Sequence, residues 1–346
     1  MLPFENSSVS FNGETTFMRI PKNLPGESTR RIAVGLASAA VILSFVACSS
    51  SDDDSDGGGV VDSGDGVDVD VVDGDADGDG FLDDGIISAT LPFQARAFEA
   101  EDSGLEIATA YGDRTTGPHG LFATIPAGSS TGLIRRTNSF RGHVVSGLIT
   151  MPFNNEGNPP VLEPGSFFSV ASGDLHSTNC ISGEPCEFYL YQDGAFYVFV
   201  DGVDPMPEAV EDDGVASVTI PTVDRDFLEN PGTPVFFAQA YGDRAVELPQ
   251  GFFGIFPGSD NFGGESFDPG LHIHSHGYHA IVLEGIVTNP FDQEENPPQL
   301  GPGSYWSVQA GNLHTTACVS EEDCTWFLYS DNDFDFLPLM DLRDLE

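Results

Sequence analysis

The sequence predicts an all-β protein that contains two copies of one unit. Its 346 residues include 40 Gly, 24 Pro and 27 Phe, and hydrophobic residues make up 40% of the chain. This composition suits many short strands joined by turns, and no long stretch has the apolar spacing of an amphipathic helix. Residues 133–193 align without a gap with residues 271–331 at a constant offset of 138. A repeat of this length indicates two structural units in tandem.

The net charge excludes two classes of partner. The chain has 55 acidic and 12 basic residues, which gives a formal net charge of -43. Nucleic acid and anionic membrane surfaces both repel such a chain, so neither is predicted as a partner. The acidity favours solubility instead.

The N-terminal segment has the pattern of a bacterial export signal. Two arginines precede the apolar run 32–47, and Cys48 directly follows this run. This pattern is typical of a signal peptide with a lipobox, and the run is too short to predict a transmembrane helix. We therefore predict a signal over residues 1–48, starting at Met1 or Met18, with lipid attached to the sulfur of Cys48. The protein would be an exported, membrane-anchored lipoprotein of the periplasm or cell surface. An ordinary secretory signal with an incidental cysteine is the alternative.

Residues 49–88 are predicted to form an acidic tether. The stretch 52–84 has 14 Asp and no Lys or Arg, so it repels itself and lacks the apolar surface needed to fold alone. Its end has the alternating carboxylates and glycines of calcium loops. A solvated acidic run is an equally open interpretation. The candidate calcium ligands are Asp75, Asp77, Asp79 and Asp83.

The four remaining cysteines form two pairs with the same spacing. Cys180 and Cys186 enclose five residues, and Cys318 and Cys324 enclose five residues at the equivalent place in the second copy. In an exported protein, an even number of cysteines in two equally spaced pairs favours two disulfides, each closing a short turn. A zinc site on each pair is the alternative, but no further soft ligand lies nearby in the sequence.

Four of the eight histidines lie within residues 272–279. His272 and His274 are two apart in a strand-like alternation, so their side chains leave the same face and can reach one ion. A second block, residues 300–314, ends in His314. Histidines clustered with period-two spacing, together with a distant additional one, are typical of a metal site. Surface histidines, or histidines satisfied in a core, are the alternative.

The two histidine blocks together resemble the two conserved motifs of the cupin superfamily. The first motif of that family reads His-x-His, three or four residues, Glu, then Gly; the second reads Pro-x-Gly, a strand and a His. Here His272, His274 and His314 fall on the histidine positions, and His279 stands where cupins usually carry Glu. The resemblance, over about residues 93–340, implies two tandem double-stranded β-helix (jelly-roll) barrels. It also implies one divalent transition metal, Fe, Zn, Mn, Ni or Cu, bound by the second barrel, with His279 either as a fourth ligand or as a neighbour that supports the other three.

The first copy lacks most of this ligand set. At the offset of 138, Arg136 and Arg141 replace two of the clustered histidines, and only His176 is retained. His143 follows Arg141 by two residues and shares its face of the predicted strand. We therefore predict a vestigial, metal-free site in the first barrel. The arginines would replace the charge of the ion and pair with carboxylates such as Asp174; an anion pocket for a carboxylate ligand is the alternative.

The predicted function follows from the resemblance to small cupins of the anti-sigma-factor and diketone-dioxygenase types. It is an Fe-type oxygenase of a small carbonyl-containing molecule, with Tyr278 or Glu284 supporting the metal. A non-catalytic, metal-dependent binding or sensing module is the alternative. Cupins often dimerise, which makes a homodimer a further expectation. The predicted organisation is a signal (1–48), a tether (49–88), a degenerate cupin domain (89–204), a linker (205–234) and a metal-binding cupin domain (235–346).

Overall fold

The computed structural model describes residues 7–11, 14–18, 85–101, 104–154, 156–200, 214–242, 249–291 and 294–338. Cys48 and the candidate calcium ligands Asp75, Asp77, Asp79 and Asp83 lie outside the described residues, as does the apolar run of the predicted signal. The chain divides into two compact units, Met1–Ile42 and Leu43–Glu346. Within the described part of the chain, no helix is long and apolar enough to cross a membrane.

The first unit contains one described feature, an antiparallel hairpin. Its strands are β1 (Ser7–Phe11) and β2 (Glu14–Met18), which pair from Ser7↔Met18 to Phe11↔Glu14.

The second unit is a pair of β-barrels built from equivalent strands. The strands of the first half are β3 (Ala89–Leu91), β4 (Glu99–Ala100), β5 (Glu106–Gly112), β6 (His119–Ile125), β7 (Ile134–Arg136), β8 (Phe140–Ser146), β9 (Ile149–Thr150), β10 (Val161–Leu162), β11 (Phe167–Val170), β12 (Asn179–Cys180), β13 (Cys186–Gln192) and β14 (Val198–Val200). Those of the second half are β15 (Val218–Ile220), β16 (Leu228–Glu229), β17 (Phe236–Tyr241), β18 (Gln250–Phe256), β19 (His272–Ile273), β20 (Tyr278–Glu284), β21 (Val287–Thr288), β22 (Gln299–Leu300), β23 (Tyr305–Val308), β24 (Ala317–Cys318), β25 (Cys324–Ser330) and β26 (Leu337–Pro338). Short 3-10 turns follow β3 at Phe93–Ala95 and β15 at Thr222–Asp224.

Each barrel has one seven-stranded sheet and smaller sheets of three and two strands. In the first barrel the large sheet has the order β15-β11-β8-β13-β6-β5-β4, with β10-β9-β12 and β14-β7 beside it. In the second barrel the order is β16-β17-β18-β25-β20-β23-β3, with β22-β21-β24 and β19-β26. Every pairing is antiparallel, as the predicted jelly-roll barrels require.

The two barrels exchange their edge strands. β15 precedes the second copy in sequence but pairs with β11 of the first barrel, from Phe167↔Ile220 to Ser169↔Val218. β3 precedes the first copy but pairs with β23 of the second barrel, from Tyr305↔Leu91 to Ser307↔Ala89. The segment 205–234, predicted as a linker, therefore contributes strands in its described part. Each exchanged strand covers an edge that would otherwise expose unpaired backbone groups.

Alternation along the central strands separates two kinds of core. In β20, Tyr278, Ala280 and Val282 belong to the apolar cluster inside the second barrel. The intervening Ile281 and Leu283 belong to a separate cluster between the two large sheets, because successive side chains point to opposite faces of a strand. That layer between the barrels is rich in aromatic residues from both copies, including Phe122, Phe167, Tyr189, Tyr191, Phe253, Tyr305, Phe327 and Tyr329.

Both predicted disulfides are present. Cys180 bonds to Cys186 and Cys318 bonds to Cys324, with Cα–Cα distances of 5.6 and 5.7 Å. Each bond closes the short turn that leads into the central strand of a large sheet, β13 or β25. The zinc alternative for these cysteines is thereby excluded.

Candidate metal centre

Three buried histidines converge inside the second barrel. His272 begins β19, His274 follows it, and His314 lies between β23 and β24, where it forms β-bridges with His272 and Phe291. His272 and His314 are held side by side by two backbone hydrogen bonds, with N to O distances of 3.0 and 3.1 Å. Their ligating nitrogen atoms and that of His274 all lie within 4.8 Å of one another. This spacing allows all three imidazoles to reach one ion.

Backbone carbonyl groups set the tautomer of each ring. Nδ1 of His272 lies 2.7 Å from the carbonyl oxygen of Gly270, and Nδ1 of His314 lies 3.0 Å from that of Asn312. Nδ1 of His274 contacts the carbonyl oxygen of Asp335. Since a carbonyl only accepts, each Nδ1 carries the hydrogen and each Nε2 keeps a lone pair. Nε2 of His274 is buried and has no hydrogen-bond partner among the described residues, as expected of an atom that ligates a metal.

Burial keeps the three rings neutral. Desolvation lowers the pKa of His314 to about 3, and the neighbouring His272 adds to the effect. Burial likewise lowers the pKa of His272. The pKa of His274 falls well below its ordinary value, first through burial and then through its two histidine neighbours. Neutral imidazole is the form that coordinates a metal.

Tyr278 lies beside the three histidines. Its hydroxyl is 3.0 Å from Nε2 of His314 and accepts a hydrogen bond of 3.4 Å from Nε1 of Trp306. Burial raises the pKa of this phenol, which therefore stays protonated. A metal on Nε2 of His314 would replace the present hydrogen bond and leave the Tyr278 hydroxyl adjacent to the ion.

The expectation that His279 is a fourth ligand is wrong. Its ring is stacked 4.1 Å from the ring of Tyr111, and its Nδ1 lies 2.6 Å from the hydroxyl of Tyr305. Both contacts are in the layer between the barrels, on the opposite face of β20 from the three histidines. A shift of one residue along a strand moves a side chain to the other face. The cupin motif allows three or four residues between its second histidine and its Glu position. With three residues after His274, the Glu position falls on Tyr278; with four, it falls on His279.

Glu284 also lies outside the site, contrary to the expectation that it supports the metal. It is exposed at the end of β20, next to a shift in strand register. Its carboxylate accepts a hydrogen bond of 2.9 Å from Oγ1 of Thr325. The register shift takes it out of the alternation that places Tyr278 inside the barrel.

A cavity of about 530 Å³ adjoins His272 and His274. Asp268 and Asp335 are its only charged lining residues, and no Lys or Arg lines it among the residues that the structure describes. The walls are mainly aromatic. The side chains that define this character are Phe237, Phe256, Phe267, Tyr278, Trp306, Trp326, Phe334 and Phe336.

The segment after β25 closes over the histidines. The ring of Phe336 lies 4.3 Å from that of His272, and the ring of Phe334 lies 4.6 Å from that of His274. Between them, Asp335 accepts hydrogen bonds from His274 and from the backbone N–H of Ser275. Sequence reasoning missed this segment, although the alternation of Phe334 and Phe336 is a strand-like signal for one buried face.

The vestigial residues of the first barrel separate into two groups. Arg136 and His176 lie inside that barrel, and both contact Phe140. Arg141 and His143 face the layer between the barrels. The guanidinium of Arg141 lies 4.3 Å from the ring of Tyr241, and the ring of His143 lies 4.0 Å from that of Phe327.

The predicted pairing of these arginines with Asp174 is not formed. Oδ2 of Asp174 accepts a hydrogen bond of 2.5 Å from Oγ of Ser217 instead. Ser217 directly precedes β15, the exchanged strand. The sequence offset could not reveal this partner, because the segment that supplies it belongs to the other copy.

Comparison with known proteins supports the architecture. Residues 89–199 match a protein-family profile described as a domain of unknown function (DUF4437). No curated protein sequence matches the chain. A solved oxalate decarboxylase from Lactobacillus farciminis, in complex with formate, aligns over 76% of this chain and 92% of its own, with 12% identity and a TM-score of 0.50. Oxalate decarboxylase from Bacillus subtilis aligns over 74% and 80%, with 13% identity and a TM-score of 0.48.

The likeness to the Lactobacillus structure at 12% identity bears on the fold alone. Together with the paired barrels and their equivalent strands, it confirms the predicted class. The chain is an all-β protein with two tandem cupin barrels, the bicupin fold.

Proposed function

We propose that the second barrel binds one divalent transition metal through His272, His274 and His314. The observation that carries this proposal is the convergence of three buried, neutral imidazoles, each with Nδ1 held by a carbonyl group. Such orientation of the ring by a second hydrogen bond is characteristic of metal-ligating histidine. A site of three imidazoles suits Fe, Zn, Mn, Ni or Cu.

The cavity favours an uncharged ligand with an aromatic or alkyl body. Its aromatic walls bury apolar surface, and its two acidic side chains disfavour an anion. The fold is shared with oxalate decarboxylases, but oxalate is a dianion and the described lining has no cationic side chain to bind it. A small carbonyl-containing molecule can place its polar group toward the metal and its apolar body against Trp306 and Trp326.

The reaction that we propose is oxygenation of such a molecule with an Fe-type metal. The metal would supply Lewis acidity and oxygen activation on the side of the three histidines that adjoins the cavity. The chain would orient the substrate through its aromatic walls and exclude water by the Phe334 and Phe336 rings. The protonated hydroxyl of Tyr278 would donate a hydrogen bond to a substrate oxygen next to the metal.

A non-catalytic binding or sensing module is the second candidate. The observation that favours it is the residue at the carboxylate position of the motif, which is Tyr278 with a raised pKa. A protonated phenol is a poor general base, so the site has binding groups but lacks an evident group to remove a proton. Metal-dependent capture of the same uncharged ligand would then be the whole function.

Export and lipid anchoring complete the proposal. Two disulfides in one chain support an oxidising compartment, and the sequence around Cys48 has the features of a lipobox. Cys48→Ser should move the protein from the detergent phase to the soluble fraction. Unchanged partitioning would exclude the anchor. Calcium protection of the segment after Gly80 from proteolysis, compared with chelator, tests the proposed calcium loop.

Metal analysis of the purified chain tests the central proposal. We expect one transition-metal equivalent per chain, lost in His314→Ala and retained in His176→Ala, the matched change in the first barrel. Oxygen consumption should then be measured with a panel of diketones and phenols. Oxygen consumption that requires the metal would support the oxygenase function. Metal-dependent ligand binding without turnover would support the binding or sensing function. Two equivalents, or equal sensitivity to the two substitutions, would contradict the assignment to the second barrel.

A further inference from the structure

A buried guanidinium lies in the first barrel at the place of a metal-site histidine. Arg136 of β7 corresponds, at the repeat offset, to His274. It is 8% exposed, and its buried Nε and Nη1 atoms have no hydrogen-bond partner within the part of the chain that the structure describes. Its central carbon lies 3.9 Å from the ring of Phe140 and 4.3 Å from that of Phe196. These rings attract the cation, but they do not satisfy its N–H groups.

No carboxylate of the described residues compensates this charge. Burial lowers the pKa of Arg136 to about 9, and no acid opposes the shift. The guanidinium therefore remains charged at neutral pH. Asp174, the acid expected beside it, is engaged by Ser217. A buried charge without a partner is strongly destabilising, so an external anion would relieve the penalty.

His176 contributes a second unsatisfied atom to the same interior. It is fully buried, and it corresponds to His314 at the repeat offset. Its Nδ1 lies 3.1 Å from the carbonyl oxygen of Asp174, which leaves Nε2 as a hydrogen-bond acceptor. That Nε2 atom has no hydrogen-bond partner among the residues that the structure describes. The charge of Arg136 helps to lower the pKa of His176, so the two groups are electrostatically coupled.

We propose that Arg136 and His176 bind a small hydroxycarboxylate inside the first barrel. The carboxylate accepts hydrogen bonds from the guanidinium N–H groups, and a hydroxyl on the adjacent carbon donates to Nε2 of His176. The carboxylate then supplies an acceptor to an unsatisfied guanidinium N–H, and the hydroxyl supplies a donor to Nε2 of His176. The ligand must be small, because the rings of Phe140 and Phe196 lie within 4.3 Å of the guanidinium and the ring of Phe140 lies 5.3 Å from that of His176. This site is independent of the metal proposed for the second barrel.

Thermal unfolding with matched ligands tests the proposal. The full chain should be treated with chelator, so that no anion binds through a metal, and then dialysed exhaustively into buffer free of carboxylates. Glycolate should raise the unfolding temperature saturably, by roughly 3 to 6 °C at about ten times its dissociation constant. Acetate should act only at higher concentration because it lacks the hydroxyl. Glycolamide, the uncharged analogue, should give no shift.

Two substitutions assign the effect to the site. Arg136→Met should abolish the response to glycolate, whereas Arg135→Met, which removes the same charge one residue away, should retain it. Arg135 donates to the carbonyl of Gly173 at 2.7 Å and takes no part in the proposed site. His176→Phe should remove the preference for glycolate over acetate. No shift in the wild type, an equal shift in Arg136→Met, or an unchanged preference in His176→Phe would overturn the proposal.

A measurement on the unsubstituted chain guards against misfolding of the variants. With ¹⁵N-labelled arginine, glycolate should shift the Nε–H resonance of one buried arginine saturably, and glycolamide should leave it in place. A spectrum in which glycolate moves no arginine resonance would overturn the proposal by itself.

Discussion

Tyr278 and His279 are neighbours in β20 but lie on opposite faces of the sheet. The hydroxyl of Tyr278 points to His314, whereas the ring of His279 stacks on Tyr111 between the barrels. The cupin motif permits three or four residues before its carboxylate position, and only strand alternation distinguishes the two. Residue identity alone favoured the histidine, since imidazole is the better-known metal ligand.

The position of His279 leads to a prediction about metal content. His279→Phe keeps a ring against Tyr111 and should leave the metal bound, because His279 does not face the three histidines. His272→Phe is the matched control and should lose the metal, since it removes a ligand of the same kind. Metal analysis of both folded variants decides the matter. Loss of metal in folded His279→Phe would return that residue to the ligand set.

His143 is a buried histidine, and neither of its ring nitrogen atoms has a hydrogen-bond partner in the described part of the chain. Its ring packs against three phenylalanines, Phe167, Phe253 and Phe327. Burial of unsatisfied polar atoms in such surroundings is unfavourable. The equivalent position of the second copy holds Ile281, which is fully buried in the same layer.

We therefore expect His143→Ile to stabilise the protein. The gain should be about 1 to 3 kcal/mol, the desolvation penalty of an unpaired buried polar group. Ile281→His is the matched control and should destabilise, because it places a second unsatisfied ring in the layer. Denaturant midpoints at pH 7.5 measure both changes. A lower midpoint for His143→Ile would show that its ring has an unrecognised partner.

At the scale of elements, the exchange of β3 and β15 joins the two copies. β15 covers the edge of the first barrel at β11, and β3 covers the edge of the second at β23. The aromatic layer between the large sheets contains residues from both copies. Hydrogen bonds between tyrosine hydroxyls cross this layer. The two oxygen atoms are 2.8 Å apart in the pair Tyr189 and Tyr329, and 3.0 Å apart in the pair Tyr191 and Tyr241. Neither barrel is complete without the other.

This interdependence predicts the behaviour of separated fragments. A fragment of residues 85–200 should fold poorly alone, because β11 lacks β15 and the aromatic layer is exposed to water. Co-expression with residues 214–338 should restore a soluble complex that contains both exchanged strands. Size-exclusion chromatography and thermal unfolding of each fragment and of the mixture provide the measurement. Cooperative unfolding of monomeric 85–200 alone would contradict the expected dependence.

Across the whole molecule, buried neutral histidines make stability depend on pH. Burial lowers the pKa of His176 to about 4 and that of His143 well below its ordinary value. In the unfolded chain both rings take up protons below about pH 6.5. Between about pH 6.5 and the lower folded pKa values, the unfolded state therefore binds more protons. Stability must decrease as the pH falls through this window.

The metal-free protein should accordingly lose stability on acidification. Each of these histidines contributes about 1.4 kcal/mol per pH unit inside the window, and their contribution should no longer change above about pH 7. Denaturant unfolding at pH 7.5, 6 and 5 measures how steeply the free energy of unfolding changes with pH. His143→Ile should show a shallower slope than the wild type because it has one titrating group fewer. Equal slopes would mean that His143 is already protonated, or accessible, in the folded state.

The all-β class, the tandem repeat, the two disulfides and the three converging histidines could all be predicted from the amino-acid sequence. These features depend on local spacing: period-two alternation, closely spaced cysteines and a constant offset between copies. Spacing also predicted the loss of the ligand set in the first copy, where Arg136 replaces a histidine.

The contact partners of individual side chains, in contrast, depend on the tertiary fold. Strand register placed Tyr278 inside the barrel and His279 outside it, and a register shift removed Glu284 from the site. Strand exchange brought Ser217 to Asp174 and left Arg136 without an acid. Such contacts join residues distant in sequence, and their formation depends on packing and pairing that no local pattern encodes.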